Sequence, residues 1–148
     1  AKIFLPKGAR VLPLNSEAAD YKLAGSAANA RLSDLHWPLD LVWLGMGADG
    51  HTASIFPGPD FDEAMAPAKA IRAIGVRPDP LPPEAPVDRV TLTAPAIVEA
   101  RTTMFVITGA EKQSLLEEAI EDGKKSRYPV GRVIDALTVP VDIYCLAE

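Results

Sequence analysis

Apolar residues along the chain fall into two patterns, continuous runs and helical repeats. Residues 39–45, LDLVWLG, are almost continuously apolar, as in a strand of a parallel sheet that is covered on both faces. Further strands are predicted at 69–76, 89–93, 102–108 and 141–146. The chain is therefore expected to build a sheet from five segments.

Apolar residues spaced three to four apart predict helices between these segments. An extended stretch at 10–14 precedes Ser16, whose hydroxyl can cap the first helix. The apolar face of that helix comprises Tyr21, Ala24, Ala28, Leu32 and Leu35. A short helix near 95–100 and a longer one at about 110–122 flank the fourth strand.

The alternation of strands and helices is typical of an α/β fold with a mainly parallel, layered sheet and flanking helices. Residues 46–68 are rich in Gly and Pro and are predicted to be loop with a short helix or two. Residues 77–88 hold five prolines and form an extended loop, too short for a domain linker. Residues 1–148 are thus predicted to form a single α/β domain.

Amino-acid composition excludes some classes of binding partner but does not identify a reaction. The net charge of -5 argues against nucleic acid or an anionic membrane as a partner. No apolar run approaches the ~20 residues of a membrane helix. The lone Cys145 fits a reducing, cytoplasmic location, and two histidines with one cysteine make a zinc site hard to assemble. A soluble domain without metal is expected.

The first candidate site follows the strand at 39–45 directly. Three glycines in six residues allow a tight turn and a close approach of the backbone to a ligand. These glycines are Gly45, Gly47 and Gly50. Asp49 and His51 stand in the same turn and pair an acid with a base suited to proton transfer near neutral pH. The alternative left open is a simple turn with a structural histidine.

The spacing of the glycines also matches G-x-G-x-x-G, which raises the possibility of a dinucleotide site. That site requires a long helix after the third glycine, whereas Pro57, Gly58 and Pro59 interrupt the chain here. No second strand ends in an acid about 20 residues later. A nicotinamide cofactor is therefore not expected.

The second histidine of the chain, His36, lies beside Trp37 and Pro38 and is interpreted as a loop histidine.

Cationic residues near two further strand ends are candidates for binding an anion. Lys112 follows the strand 102–108 through a glycine into a helix start, where free N–H groups favour anions. Arg77 follows the strand 69–76, at the carboxyl end where ligands gather. Arg89 begins its strand, which is the wrong end if the sheet is parallel there. All three could instead be ordinary surface residues, and Arg77 is favoured over Arg89.

The segment LGMGADGHTASIFPG at 44–58 strongly resembles the 6-phosphogluconolactonases. Weaker matches follow in the family's order: RVTLTAP, FVITGAEK and PVGRVIDALTVPVDIY. The resemblance implies a Rossmann-like fold related to glucosamine-6-phosphate deaminase and ribose-5-phosphate isomerase. Since family members are usually longer, the chain is expected to be the C-terminal part of such a domain. The N-terminal strands would be missing, and apolar faces would be exposed.

The resemblance also implies a reaction, the hydrolysis of 6-phospho-D-glucono-1,5-lactone to 6-phosphogluconate in the pentose phosphate pathway. His51 resembles the family's general base, Asp49 would orient it, and Lys112 with Arg77 would bind the 6-phosphate. Other substrate-binding candidates are Gly45, Gly47, Gly50 and Arg89. An activated ester of this kind requires no cofactor or metal, and a monomer or homodimer is expected.

Two alternatives remain open at this point. Glucosamine-6-phosphate deaminases share the glycine turn but follow it with a catalytic acid, usually as Asn-Glu-Pro, where this chain has Phe56. A non-catalytic sugar-phosphate sensor is the second alternative, because related folds serve as effector domains of transcription regulators. The presence of both Asp49 and His51 favours catalysis.

Overall fold

The computed structural model describes residues 5–15, 18, 20–83 and 86–146. The described residues form five strands, β1 (Val42–Leu44), β2 (Ala73–Val76), β3 (Arg89–Leu92), β4 (Thr103–Thr108) and β5 (Val141–Leu146). The helices are α1 (Tyr21–Leu32), α2 (Phe61–Met65), α3 (Ala94–Val98), α4 (Ala110–Asp122) and α5 (Pro129–Asp135). Single 3₁₀ turns lie at Leu5–Lys7 and Gly123–Lys125.

The main sheet has the order β1-β4-β5, and both of its strand pairs are parallel. Leu44 lies opposite Phe105, which in turn lies opposite Ile143. Helices connect these strands, as parallel pairing requires. The predicted mainly parallel α/β fold with flanking helices is confirmed.

Strands β2 and β3 form a separate two-stranded sheet, and they are antiparallel. The reason is visible in the connection, since the proline-rich loop from 77 to 88 lacks the crossover helix that a parallel pair needs. Val76 at the end of β2 therefore lies opposite Arg89 at the start of β3. The prediction that Arg89 stands at the wrong end of a parallel strand is wrong.

The first helix begins at a different cap from the predicted one. Asp20 is the N-cap, and its carboxylate accepts hydrogen bonds from the N–H groups of Lys22 and Leu23 at 2.8 and 3.1 Å. Ser16, the predicted cap, lies outside the described residues. The helix ends at Leu32, before the predicted Leu35.

Helix α5 was not predicted, because seven residues are too few for a clear helical repeat. Its start does carry a recognisable signal, since Pro129 occupies the first turn, where a missing N–H costs nothing. Val130 and Val133 are fully buried and attach the helix to the core.

The core lies between the main sheet, the β2–β3 pair and the helices. Its larger fully or almost fully buried members are Val42, Leu44, Ile55, Val76, Ile97, Phe105, Ile107, Leu116, Val130 and Val133. Alternate strand residues point to the opposite face of the main sheet, where Trp43 is 68% exposed and Tyr144 and Leu146 are also exposed. An exposed apolar face was expected from the sequence.

No helix in the described ranges is long and apolar enough to span a bilayer.

Candidate functional site

The glycine turn at 45–51 closes directly on the end of β1. The N–H of Gly47 donates to the carbonyl of His51 at 2.9 Å, and the N–H of Gly50 donates to the carbonyl of Gly47 at 3.1 Å. The hydroxyl of the buried Thr52 donates to the carbonyl of Gly45 at 2.9 Å. These three bonds fix the turn at the carboxyl edge of the parallel sheet, where α/β proteins bind ligands.

Two of the glycines are required by close contacts. A Cβ on Gly47 would overlap the imidazole of His51 and the carboxylate of Asp49. Gly50 has a φ of +77°, and a Cβ there would lie 2.6 Å from Cδ1 of Tyr128. The N–H of Val130 also donates to the carbonyl of Gly50 at 3.0 Å. The segment that begins α5 therefore supports the turn from behind.

Asp49 holds His51 through two contacts with one carboxylate oxygen. Oδ1 of Asp49 lies 2.5 Å from Nδ1 of the imidazole and 3.1 Å from the backbone N of His51. Because a carboxylate only accepts hydrogen bonds, this contact places a proton on Nδ1, and in the neutral imidazole the lone pair is then on Nε2. Nε2 has no hydrogen-bond partner within the described part of the chain, and the His51 side chain is 28% exposed. The arrangement suits a general base.

Phe56 packs against the same imidazole. The two ring centroids are 4.0 Å apart with an angle of 26° between the planes. The chain returns from His51 to Phe56 through a turn in which Ala53 has a φ of +51° and the N–H of Ile55 donates to the carbonyl of Thr52 at 2.8 Å. His51 is therefore constrained at one ring nitrogen and across one ring face.

These side chains line an open cleft of about 600 Å³. Its walls come from the glycine turn, the proline-rich loop, the start of β3 and the start of α4. The lining residues are Gly47, Ala48, Asp49, His51, Ala53, Ser54, Phe56, Pro80, Leu81, Pro82, Pro83, Arg89 and Lys112. Among the residues that the structure describes, no group of three or more His, Cys, Asp or Glu side chains is placed to hold a metal ion.

The structure separates the two candidate arginines. Arg89 lines the cleft, and its guanidinium carbon lies 5.9 Å from the ring centroid of Phe56. Arg77 lies outside the lining of this cleft and stacks over Tyr21 at 4.8 Å. Val76 lies directly opposite Arg89, and Arg77 is the next residue after Val76. Because successive side chains of a strand point to opposite faces, Arg77 and Arg89 point in opposite directions.

Arg77 is held where it lies by Asp88. Its Nε and Nη2 donate to the two carboxylate oxygens of Asp88 at 2.8 and 2.7 Å. This bidentate hydrogen bond lowers the pKa of the Asp88 carboxyl and raises the pKa of the Arg77 guanidinium. The arginine that the sequence favoured is thus engaged by an acid within its own hairpin.

Lys112 reaches the cleft from the first turn of α4. Because β1 and β4 are parallel neighbours, the glycine turn and the start of α4 lie at the same edge of the sheet. Gly109 precedes the helix with a φ of +91°. In the described ranges Lys112 has no carboxylate within ion-pair distance, and a cation in the first turn opposes the helix dipole unless an anion binds beside it. Lys112 thus lines the cleft that contains His51, and its binding of an anion stays a prediction.

Sequence reasoning missed three contributions to this site. Phe56 was considered only for the acid that it replaces, and nothing in the sequence indicates that its ring stacks on His51. Tyr128 precedes a helix that was not predicted, so its contact with Gly50 could not be predicted from the sequence. Residues 80–83 line the cleft but are apolar, so no sequence motif marks them as part of a site. A fourth omission, the antiparallel pairing of β2 and β3, was foreseeable because no helix is predicted between these strands.

The sequence and the fold resemble those of known proteins. A family model described as glucosamine-6-phosphate isomerases/6-phosphogluconolactonase matches residues 2–139. A 6-phosphogluconolactonase of Mesorhizobium japonicum is 37% identical over 139 residues, which cover 93% of this chain and 56% of the relative. The 6-phosphogluconolactonase of Homo sapiens is 38% identical over 122 residues, covering 82% of this chain and 44% of the relative.

Solved structures give the same picture. A 6-phosphogluconolactonase from Shewanella baltica aligns with a TM-score of 0.78 and 28% identity, covering 91% of this chain and 55% of that one. A monomeric glucosamine-6-phosphate deaminase aligns with a TM-score of 0.62 at 17% identity and covers 88% of this chain and 54% of that one, a likeness of fold alone. The chain spans about half the length of the curated relatives that it matches.

Proposed function

Because this chain belongs to the glucosamine-6-phosphate isomerase/6-phosphogluconolactonase family, we propose that it is part of an enzyme that hydrolyses 6-phospho-D-glucono-1,5-lactone to 6-phosphogluconate in the pentose phosphate pathway. The observation that carries the proposal is His51, with Nδ1 held by Asp49 and Nε2 open to a cleft that also contains two cations. The relatives named 6-phosphogluconolactonase support it. Residues 1–148 would form one α/β unit of that enzyme.

The chemistry begins with proton transfer at Nε2 of His51. This nitrogen accepts a proton from a water molecule as the water oxygen attacks the lactone carbonyl carbon, C1. The carboxylate of Asp49 stabilises the imidazolium that forms, at the 2.5 Å contact with Nδ1. The imidazolium then returns the proton to the ring oxygen as the C1–O bond breaks. A positioned base of this kind contributes about 10² to 10⁴-fold in rate.

The glycine turn offers two amides for the developing oxyanion. The N–H groups of Gly47, Gly50 and His51 are engaged within the turn. In the described part of the chain, the amides of Ala48 and Asp49 donate no hydrogen bond, and both residues line the cleft. We assign these two amides to the oxyanion and assign Gly45, Gly47 and Gly50 to shaping the turn.

The phosphate end of the substrate is assigned to Arg89 and Lys112. Both line the cleft that contains His51, although they come from β3 and α4. A guanidinium can bind a phosphate through two parallel hydrogen bonds, whereas an ammonium acts as a point charge. Holding the phosphate at one end fixes the carbonyl relative to His51 at the other. Arg77 is not assigned here because it lies outside the lining of the cleft, where Asp88 holds it, whereas Arg89 lines the cleft.

The cation assignment predicts a selective loss of affinity for the phosphorylated substrate. A charge-assisted hydrogen bond contributes about 1.5 to 3 kcal/mol, so Arg89→Ala and Lys112→Ala should each raise KM by at least about 10-fold. KM for glucono-1,5-lactone, which lacks the phosphate, should change by less than about threefold. Arg77→Ala is the matched control, and initial rates on both lactones measure the effect. A larger loss in Arg77→Ala than in Arg89→Ala would return the phosphate site to Arg77.

The proposed function itself is tested with purified full-length protein. We expect 6-phosphogluconate to form much faster than by spontaneous hydrolysis of the lactone, detected through its oxidation by 6-phosphogluconate dehydrogenase. Release of ammonia from glucosamine 6-phosphate would support the deaminase alternative. Tight binding of 6-phosphogluconate without turnover of either substrate would support a sensor.

Location and assembly belong to the same proposal. We infer a cytoplasmic enzyme that is a monomer or a homodimer and needs no cofactor. Cys145 is free and exposed, which fits a reducing compartment. Sedimentation of the full-length protein at micromolar concentration measures its oligomeric state.

A further inference from the structure

We propose that Phe56 is a positioning residue for the reaction, because its ring fixes the plane of the His51 imidazole and its spacing from Arg89. The inference rests on the proposed function and adds a role that concerns alignment rather than substrate contact. Phe56 is 6% exposed, lines the cleft and contacts both the base and one of the two cations.

The hydrogen bond to Asp49 leaves the imidazole with one rotation undetermined. A single contact at Nδ1 restrains one atom of the ring, while rotation about the Cβ–Cγ bond can still tilt the ring plane by bending this hydrogen bond. Such a turn carries Nε2 away from a bound substrate. Stacking on Phe56, with centroids 4.0 Å apart, blocks this rotation because a tilted imidazole would collide with the phenyl face.

The Phe56 ring can hold the imidazole in place because hydrogen bonds and burial fix the backbone on both sides of Phe56. Before it, the N–H of Ser54 donates to the hydroxyl of Thr91 at 3.1 Å, and Ile55 is fully buried. After it, the carbonyl of Pro57 accepts from the N–H of Asp79 at 3.2 Å. The left-handed Ala53 lies between two anchored neighbours, because the hydroxyl of Thr52 donates to the carbonyl of Gly45 and the N–H of Ser54 donates to Thr91. The ring is therefore fixed to β3 and to the proline-rich loop.

The same ring connects the two ends of the cleft. The guanidinium carbon of Arg89 lies 5.9 Å from the Phe56 centroid, within range of a cation–π contact. A substrate held through its phosphate by Arg89 thus meets a base whose orientation is set by the same side chain. Loss of the ring should misalign the base while leaving both polar groups present.

The test compares Phe56→Leu with Phe105→Leu in the full-length protein. Phe105 is a matched control because it is fully buried, lies on β4 between Leu44 and Ile143, and undergoes the same loss of a ring. We expect Phe56→Leu to lower kcat at least about 10-fold, as misplaced catalytic groups do, with a change in KM below about threefold. Phe105→Leu should lower the melting temperature but retain kcat.

A second readout does not depend on turnover. The ring current of Phe56 should shift the imidazole proton resonances of His51, which are assigned by their loss in His51→Asn. We expect these resonances to move in Phe56→Leu and to stay in Phe105→Leu. If Phe56→Leu does not fold, Phe56→Met, which is close to Leu in size, replaces it.

The outcomes separate the inference from the proposed function. A wild-type protein without lactone hydrolysis contradicts the proposed function, and the resonances of His51 still test the stacking. An unchanged kcat in Phe56→Leu, a loss confined to KM, or equal losses of kcat in both variants would overturn the positioning role.

Discussion

Replacing His51 by alanine in the full-length protein is expected to lower kcat for lactone hydrolysis by at least about 10²-fold. The substitution removes the ring whose Nε2 is open to the cleft, while Asp49, Arg89 and Lys112 remain in place. Since the cations still bind the phosphate, KM should change far less than kcat. Initial rates, corrected for spontaneous hydrolysis, measure both constants.

The chain supplies a matched control for this substitution. His36 is an exposed histidine before Pro38, outside the cleft lining, and His36→Ala should keep kcat within about twofold because it removes no group from the site. Asp49→Asn should also lower kcat strongly, because the amide carries no charge to stabilise an imidazolium and its NH₂ group can hold the imidazole in the wrong tautomer. Near-normal turnover in His51→Ala would remove His51 from the mechanism.

The proximity of His51 and Lys112 depends only on the order and direction of two strands. The runs that became β1 and β4 are recognisably buried strands, and each leads straight into its functional segment. The sequence predicts both residues at the carboxyl ends of strands, and because β1 and β4 are parallel neighbours these two ends lie at the same edge of the sheet. This inference needs no knowledge of individual contacts.

The rest of the site depends on strand direction and on tertiary contacts. Arg89 lines the cleft because β2 and β3 form a hairpin that brings the start of β3 beside the end of β2, whereas Arg77 is held outside the cleft lining by Asp88. The absence of a predicted helix between 77 and 88 was the available signal. The stacking of Phe56 on His51 has no such signal, because it arises from a turn closed by a bond to Thr91 on another strand.

Gly47→Ala is the second substitution expected to have a large effect, and it tests the turn without removing any functional group. A Cβ at position 47 would occupy the space of the His51 imidazole and the Asp49 carboxylate, so one of the two must move. Displacement of a catalytic base by about 1 Å costs about 10²-fold, so a loss of kcat close to that of His51→Ala is expected. The melting temperature should fall only slightly, because His51 and Asp49 are partly exposed and can move toward solvent.

Gly45→Ala provides the comparison within the same turn. A Cβ at position 45 would meet nothing nearer than the carbonyl oxygen of Val106 at 3.9 Å, an ordinary contact distance. Its kcat should therefore stay within about threefold of the wild type. A crystal structure of Gly47→Ala should show the contact between Nδ1 and the Asp49 carboxylate broken. If Gly47→Ala retained full activity, or if both alanine variants lost activity equally, the close packing of Gly47 against His51 would not be what fixes the base.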